Sequence, residues 1–426
     1  MNEDAATPKA PPAGESPNVA GMGPMWSILL GAFWLVIWMN QLTAVQLLLP
    51  QQLDTSVDGG DWTDGVVTFG LIFSVVGAVA LATAPIAGRL SDGFMGRRRR
   101  PFLVAGVLLG ALGMVFLGQQ SASMGVLVWY LVASIGLVTA QTAAIAMVAD
   151  QVPPAARGGV TGIVSGTQAV GMILGVTVCV LLGLSVASGY VFLGGALAVI
   201  GSIAAFLLPD PPIERGTTGS PDQAKPKPVG ILRTLIEHRA FRTGLASTVL
   251  LNMGNAIITA LLLYFLLHGL GLDIAAAEEQ LLVATSVYAV AAVVAAALGG
   301  TLSDRIGRRL PFIVATIAIQ LTAALIMLAA PSLVTLTIAA AQLGLSYGGF
   351  GSVNLAMMVD LVPDPTAAAR DMSLVQIAQS APQTITPVFG ALLIAGTGGF
   401  AALFIATALL SLAALFVVMN LRTLVR

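Results

Sequence analysis

Gln376, Gln379 and Gln383 fall at i, i+3 and i+7, a spacing that puts three amides on one stripe of a helix. Pro382 and Pro387 in the same stretch free backbone carbonyls beside that stripe. Asn252 and Asn255 form a second pair at i, i+3, and Asn40, Gln141 and Gln168 stand in other apolar stretches. A carboxamide both donates and accepts hydrogen bonds and carries no charge. Such a set suits recognition of a neutral, hydroxylated small molecule, with Trp38, Tyr264, Tyr288 and Tyr347 available as apolar faces. The alternative role is interhelical hydrogen bonding, at about 0.6 kcal/mol per bond in a membrane, and Gln46 and Gln320 are assigned to it. Catalytic chemistry lacks its parts. The spans contain no His, Cys or carboxylate cluster, Cys179 is the only cysteine, and His238 and His268 are expected on opposite sides of a membrane. No catalytic residue, metal site or cofactor is expected.

A second set of residues is charged and occurs twice. Residues 88–102 and 300–312 are near copies, with Gly88 and Asp92 each 212 positions before Gly300 and Asp304. Arg97 to Arg100 follow in the first copy, and Arg305, Arg308 and Arg309 in the second. The duplication extends further. Pro101-Phe102 and Pro311-Phe312 each open an apolar stretch, where a missing N–H is harmless. Asp150 and Asp360 each close one and are followed by Arg157 and Arg370. Asn40 and Asn252 are again 212 apart.

These residues must be positioned by membrane helices. Of 426 residues 57% are hydrophobic and 9% charged, against roughly 25% charged in a soluble domain. Twelve apolar segments of about 20 residues fit, the length that crosses a hydrocarbon core. They are expected at 25–49, 64–88, 101–120, 124–149, 158–184, 188–208, 242–266, 280–300, 310–330, 333–358, 371–395 and 399–421. The resulting plan is an all-α integral membrane protein. A disordered tail (1–24) leads into a six-helix bundle (25–208). A linker (209–241) joins it to a second bundle (242–421) and a short tail (422–426). Within the linker, Ile231, Leu232, Leu235 and Ile236 are compatible with a short surface helix or with an ordinary turn. All nineteen Lys and Arg residues then fall on one side, with both termini, while the loops opposite carry only acids (Asp54, Asp58, Asp61, Asp64, Asp273, Glu278, Glu279). The positive-inside rule makes the basic side cytoplasmic; the expected location is the plasma (inner) membrane. The acids are read as solvated loop residues. Glycines 162, 166, 171 and 175, and 344 and 348, are read as close helix-packing positions.

At the Arg-rich turns the sequence resembles the major facilitator superfamily. Gly300, Asp304, Arg305, Gly307, Arg308 and Arg309 match that family's signature between its second and third helices; in the first copy Gly93 replaces the Arg and one residue is inserted before Gly96. The resemblance, over about residues 25–421, implies two six-helix bundles rocking around a central cavity lined by helices 1, 4, 5, 7, 10 and 11. It also implies an inner gate. Asp92 and Asp304 would meet the N-termini of the eleventh and fifth helices, respectively, in the opposite bundle, and the arginines would pair with Asp150 and Asp360. The alternative is that the arginines only set topology; Arg99 and Arg100 are read as topology signals or lipid contacts. The Asp150-to-Arg157 spacing resembles sugar porters, and Gly96-Arg-Arg-Arg-Arg-Pro-Phe resembles sucrose-type and other glycoside–cation symporters. The expected protein is a monomeric secondary carrier for a small organic solute, in its sharper form a sugar or glycoside. The rivals are an exporter of drugs or natural products, weakened by the lack of proline in the fifth helix, and a non-transporting solute sensor. Coupling is open: a proton held at Asp92 or Asp150, Na⁺ on carbonyls and amides, or uniport. The partners are the solute and the lipid bilayer, with no nucleic acid.

Overall fold

The computed structural model describes residues 23–54, 60–93, 98–153, 157–210, 236–362 and 368–424. The side chains of Asp92, Gly93, Arg157, Gly158, Asp304, residues 368–370 and residues 421–424 lie outside this description. So do Arg97, most of the linker, and Ile231, Leu232 and Leu235 of the expected surface helix.

Every long apolar run forms a helix. The first half of the chain builds α1 (Pro24–Leu53), α2 (Trp62–Gly93), α3 (Arg100–Leu117), α4 (Ser123–Gln151), α5 (Arg157–Leu181) and α6 (Val186–Leu207). The second half builds α7 (Arg239–Ala260, continued after a 47° bend as Leu262–Gly269), α8 (Ile274–Ile306), α9 (Leu310–Ala329), α10 (Leu333–Asp360), α11 (Ala368–Thr397) and α12 (Ala401–Leu424). Ten described helices are long and apolar enough to cross a membrane, or eleven with the bent α7 counted as one span. The amide-bearing α11 has the length, at 30 residues, but is not among them. Several helices run past their expected ends; α8, expected at 280–300, extends six residues further each way. Charged residues at membrane-protein helix ends lie in the headgroup zone, where a helix continues although its apolar stretch has stopped.

Local chemistry sets the helix ends. Asp273 caps α8 through the Ala276 amide at 2.8 Å, and Ser332 and Thr335 form a capping box on α10. Gly307 closes α8 with φ of +65°, a left-handed conformation that favours glycine and explains this position of the duplicated motif. Pro101 and Pro311 stand in the first turns of α3 and α9. In α1 the turn at Ala44–Leu48 widens to i→i+5 bonding just before Pro50, which has no N–H to give.

Within the halves, small residues let backbones touch. A Cβ at Gly344 or Gly348 of α10 would strike the Tyr288 or Ala292 carbonyl of α8. A Cβ at Gly171 of α5 would lie 2.8 Å from the Leu35 carbonyl of α1, and Gly175 abuts Thr43. Gly162 and Gly166, expected as packing positions, face open space instead. The halves meet along two seams, α2 with α11 and α5 with α8.

Candidate functional site

Four polar side chains converge from the second half near the midpoints of their helices. The Tyr288 hydroxyl of α8 donates to Asn255 Oδ1 of α7 at 3.1 Å. The Tyr288 and Tyr347 rings lie 6.1 Å apart at 36°, and Gln383 of α11 lies beside Tyr347. Asn255 is 5% exposed, and its Nδ2 has no partner within the protein. An unpaired buried amide costs about 1–3 kcal/mol, a debt that a ligand acceptor would cancel. Along α11, Gln376 and Gln383 are exposed and Gln379 is half-buried.

The first half presents a sparser counterpart. Gln41 of α1 and Gln141 of α4, both half-buried, exchange amide hydrogen bonds, at 3.0 Å for Gln141 Nε2 to Gln41 Oε1. Trp38 of α1 stacks on Trp34 with centroids 5.8 Å apart. Gln168 is half-buried on α5. Asn40 sits elsewhere. It is fully buried, and its Nδ2 donates to the Val36 carbonyl at 2.8 Å and the Leu193 carbonyl at 3.1 Å, so it joins α1 to α6. Asn252 turns back on its own helix, donating to the Thr248 carbonyl. Gln320 bonds the Leu251 carbonyl and Ser411 Oγ, the interhelical role read from its position. Tyr264 is also displaced from the expected lining. It is fully buried, with its hydroxyl 3.4 Å from the Gly65 carbonyl.

On the basic side, each half has one described arginine–carboxylate pair. Arg99, at 5% exposure, reaches Asp150 with Nε at 2.9 Å and Ser91 Oγ with Nη1 at 2.6 Å. It thereby ties the ends of α2 and α4 to the start of α3. Arg99 therefore turns inward rather than to lipid, in addition to any part it plays in topology. Arg100 is likewise engaged, through Nη2 to the Leu208 carbonyl at 2.7 Å. Asp210, which no motif marked, accepts the backbone amides of Arg99 and Arg100 at 3.1 and 3.0 Å and so caps α3. In the second half Arg309 Nε lies 3.2 Å from Asp360, while Arg305 and Arg308 are exposed. Gly88 and Gly300 have no neighbour closer than 3.8 Å to a built Cβ. The side chains of Asp92, Arg157, Asp304 and Arg370 lie outside the described set, as does all of Arg97. Asp371, fully buried in the first turn of α11, is a further acid at this end that the motif search did not single out.

The acidic side is where the halves bind each other. Asp54, at the C-terminus of α1, pairs with His268 at the end of α7 at 2.9 Å. Gln51 Nε2 donates to Glu278 of α8 at 2.7 Å. Trp62 of α2 stacks on the His268 ring at 4.7 Å and on Phe400 at 5.4 Å. Below this layer Ser74 Oγ donates to the Thr384 carbonyl at 2.9 Å, and a Cβ on Gly70 would meet Ala391 and Val388. Asp54 and Glu278 are therefore not solvated loop acids, as their loop positions suggested. Toward the basic side the seam loosens: Gly159, Gly162 and Gly166 of α5 have no atom within 4 Å of a built Cβ. No group of three or more potential metal ligands occurs among the described residues.

The fold has known counterparts. The nucleoside transporter NupG superposes with a TM-score of 0.74 at 13% identity, over 93% of this chain and 99% of that one. A bacterial homolog of the human lysosomal transporter Spinster, in an inward-facing and occupied conformation, gives 0.68 at 17% identity over 95% and 98%. The same homolog, inward-facing and unoccupied, gives 0.65. No curated protein matches by sequence. The family model described as Major Facilitator Superfamily matches residues 21–282 and 245–425. Together these spans cover nearly all of the helical chain, which belongs to the major facilitator superfamily and is a multi-pass membrane transporter rather than an enzyme.

Proposed function

We propose that the protein is a secondary transporter that moves a neutral, hydroxylated small solute by alternating access, with a sugar or glycoside as the best-fitting class. The observation that carries this reading is the cluster of Asn255, Tyr288, Tyr347 and Gln383 at mid-depth. It offers amide donors and acceptors beside aromatic faces, and the middles of the spans contain no Asp, Glu, Lys, Arg or His. A charged solute placed there would have no counter-charge in a medium where an isolated charge costs several kcal/mol. A glycoside has both features the cluster matches, hydroxyls around a ring and an apolar face. Nucleosides are themselves N-glycosides, so the likeness to a nucleoside transporter is compatible with the same chemistry.

In this reading the two halves act as six-helix bundles, 25–208 and 242–421, joined by 209–241 and working as a monomer in the plasma membrane with the basic side cytoplasmic. The contacts around His268 and Gln51 close the outer side, and the unpacked glycines of α5 line an opening to the inside. Asp92, Asp304, Asp150, Asp360 and the neighbouring arginines close the inner side in the alternate state. Gln41, Gln141, Gln168, Gln376 and Gln379 complete the lining.

Uptake into proteoliposomes from a panel of sugars, nucleosides and cationic dyes, with and without an imposed pH gradient, tests the assignment. Saturable uptake of a neutral glycoside is expected. Accumulation of a dye with no sugar or nucleoside moving would replace it with the exporter reading, and binding without movement would favour a sensor.

A further inference from the structure

His268 is the one basic side chain of the acidic side, because all nineteen Lys and Arg residues are assigned to the opposite side and His238 precedes α7 there. Its position is specific. The ring is wedged between the halves, 2.9 Å from Asp54 and stacked on Trp62. Both residues of the pair are shielded, with side chains 16% and 6% exposed. The pair joins the two halves, whereas Arg99–Asp150 and Arg309–Asp360 each lie within one half.

The geometry gathers negative groups around this ring. Asp54 caps the C-terminus of α1, and His268 stands in the last turn of α7, so the negative ends of two helix dipoles converge there. At the His268 end of the elements packed around it, the other titratable groups are acids or a phenol. They are Tyr264 on α7, Asp61 and Asp64 at the start of α2, and Asp273, Glu278 and Glu279 at the start of α8. The arginines of these helices, Arg89, Arg239, Arg242 and Arg305, stand at their opposite ends. A neutral imidazole gives Asp54 one ordinary hydrogen bond. An imidazolium gives it a charge-assisted bond and presents a cation to the face of Trp62.

We propose that His268 and Asp54 form a proton-dependent latch on the acidic side: protonation of His268 while it bridges the halves holds that side shut, and its loss lets the side open. The sign follows from the geometry. The bridge exists only in the closed state, so low pH on the acidic side raises the closed population and high pH lowers it. The latch regulates access to the cavity and is independent of which solute the cavity takes. It rests on the alternating-access reading.

Nitroxide labels on Leu182→Cys at the end of α5 and Ile274→Cys at the start of α8, in a Cys179→Ala background, report this opening by pulsed electron resonance. Reconstituted protein without solute is compared at pH 8 and pH 5.5. Two distance populations are expected, with the closed-to-open ratio rising about fivefold at the lower pH, the difference between a neutral and a charge-assisted contact. His268→Gln and Asp54→Asn are expected to flatten the response, and Glu278→Gln to keep it. His268→Lys, permanently charged, is expected to stay closed at both pH values, which separates loss of the latch from loss of fold. A pH response that survives in His268→Gln overturns the latch, as does a ratio in the parent that ignores pH while both populations are present. A single distance under every condition, solute included, removes the alternating-access reading with it.

Discussion

Tyr288 and Asn255 stand 33 residues apart on adjacent helices, and the hydroxyl of the first fixes the amide of the second through a 3.1 Å bond. With Oδ1 occupied, Asn255 is left to act through Nδ2, a buried donor with no partner of its own. Tyr288→Phe is therefore expected to free the amide to rotate and raise KM for the transported solute several-fold, with surface expression unchanged. Asn255→Ala removes the donor and is expected to raise KM about tenfold, the loss of roughly 1.4 kcal/mol of hydrogen bonding. Equal KM values for both variants and the parent would remove the cluster from the solute site.

Gln383 and Gln376 share a stripe, but only Gln383 reaches Tyr347. Gln383→Ala is expected to weaken solute binding more than Gln376→Ala, as read by isothermal titration of the purified protein. The reverse order would place the cavity nearer the basic end of α11.

Arg99 joins three helix ends, and removing its carboxylate takes the charged partner from a guanidinium that is 5% exposed. Asp150→Asn is expected to lower the thermal midpoint in detergent by a few degrees, about 1–2 kcal/mol of a charge-assisted bond. Arg98→Ala, on an exposed neighbour, is expected to leave it unchanged. Equal effects from the two substitutions would reduce Arg99 to a topology signal.

The glycines make a sharper contrast. Gly348→Ala drives a methyl into the Ala292 carbonyl and is expected to cost about 1–3 kcal/mol, seen as lost folded yield. Gly162→Ala meets open space and is expected to fold normally. If α5 closes onto the second half during the cycle, that variant slows turnover without altering solute affinity.

Asp304 carries the sequence prediction of an inner gate. Asp304→Asn is expected to leave membrane insertion intact and to reduce the transport rate by at least severalfold. Unchanged turnover would return the duplicated motif to a purely topological role.

The run of long apolar helices was legible because insertion is governed by a one-dimensional quantity, the length of apolar stretches. The paired motif residues were legible for the same reason, since a duplication is visible as a repeat. What a helical wheel cannot show is which neighbour a side chain meets. Asn40 and Asn255 are both amides in apolar spans, yet one joins α1 to α6 and the other meets a tyrosine near the middle of its helix. Arg99 and Arg97 stand two apart in one basic run, and only the fold shows that Arg99 turns inward to Ser91 and Asp150. His268 and Asp54 are 214 residues apart, and neither belongs to the repeat, so no spacing rule joins them.

The polarity of α11 also constrains how the chain is assembled. With three glutamines and two internal prolines it partitions into lipid less readily than the other long spans. It packs along α2 and α7, segments synthesised well before it. Its entry into the bilayer thus depends on a groove already prepared by earlier spans, and its biogenesis is a cooperative event rather than a solitary one.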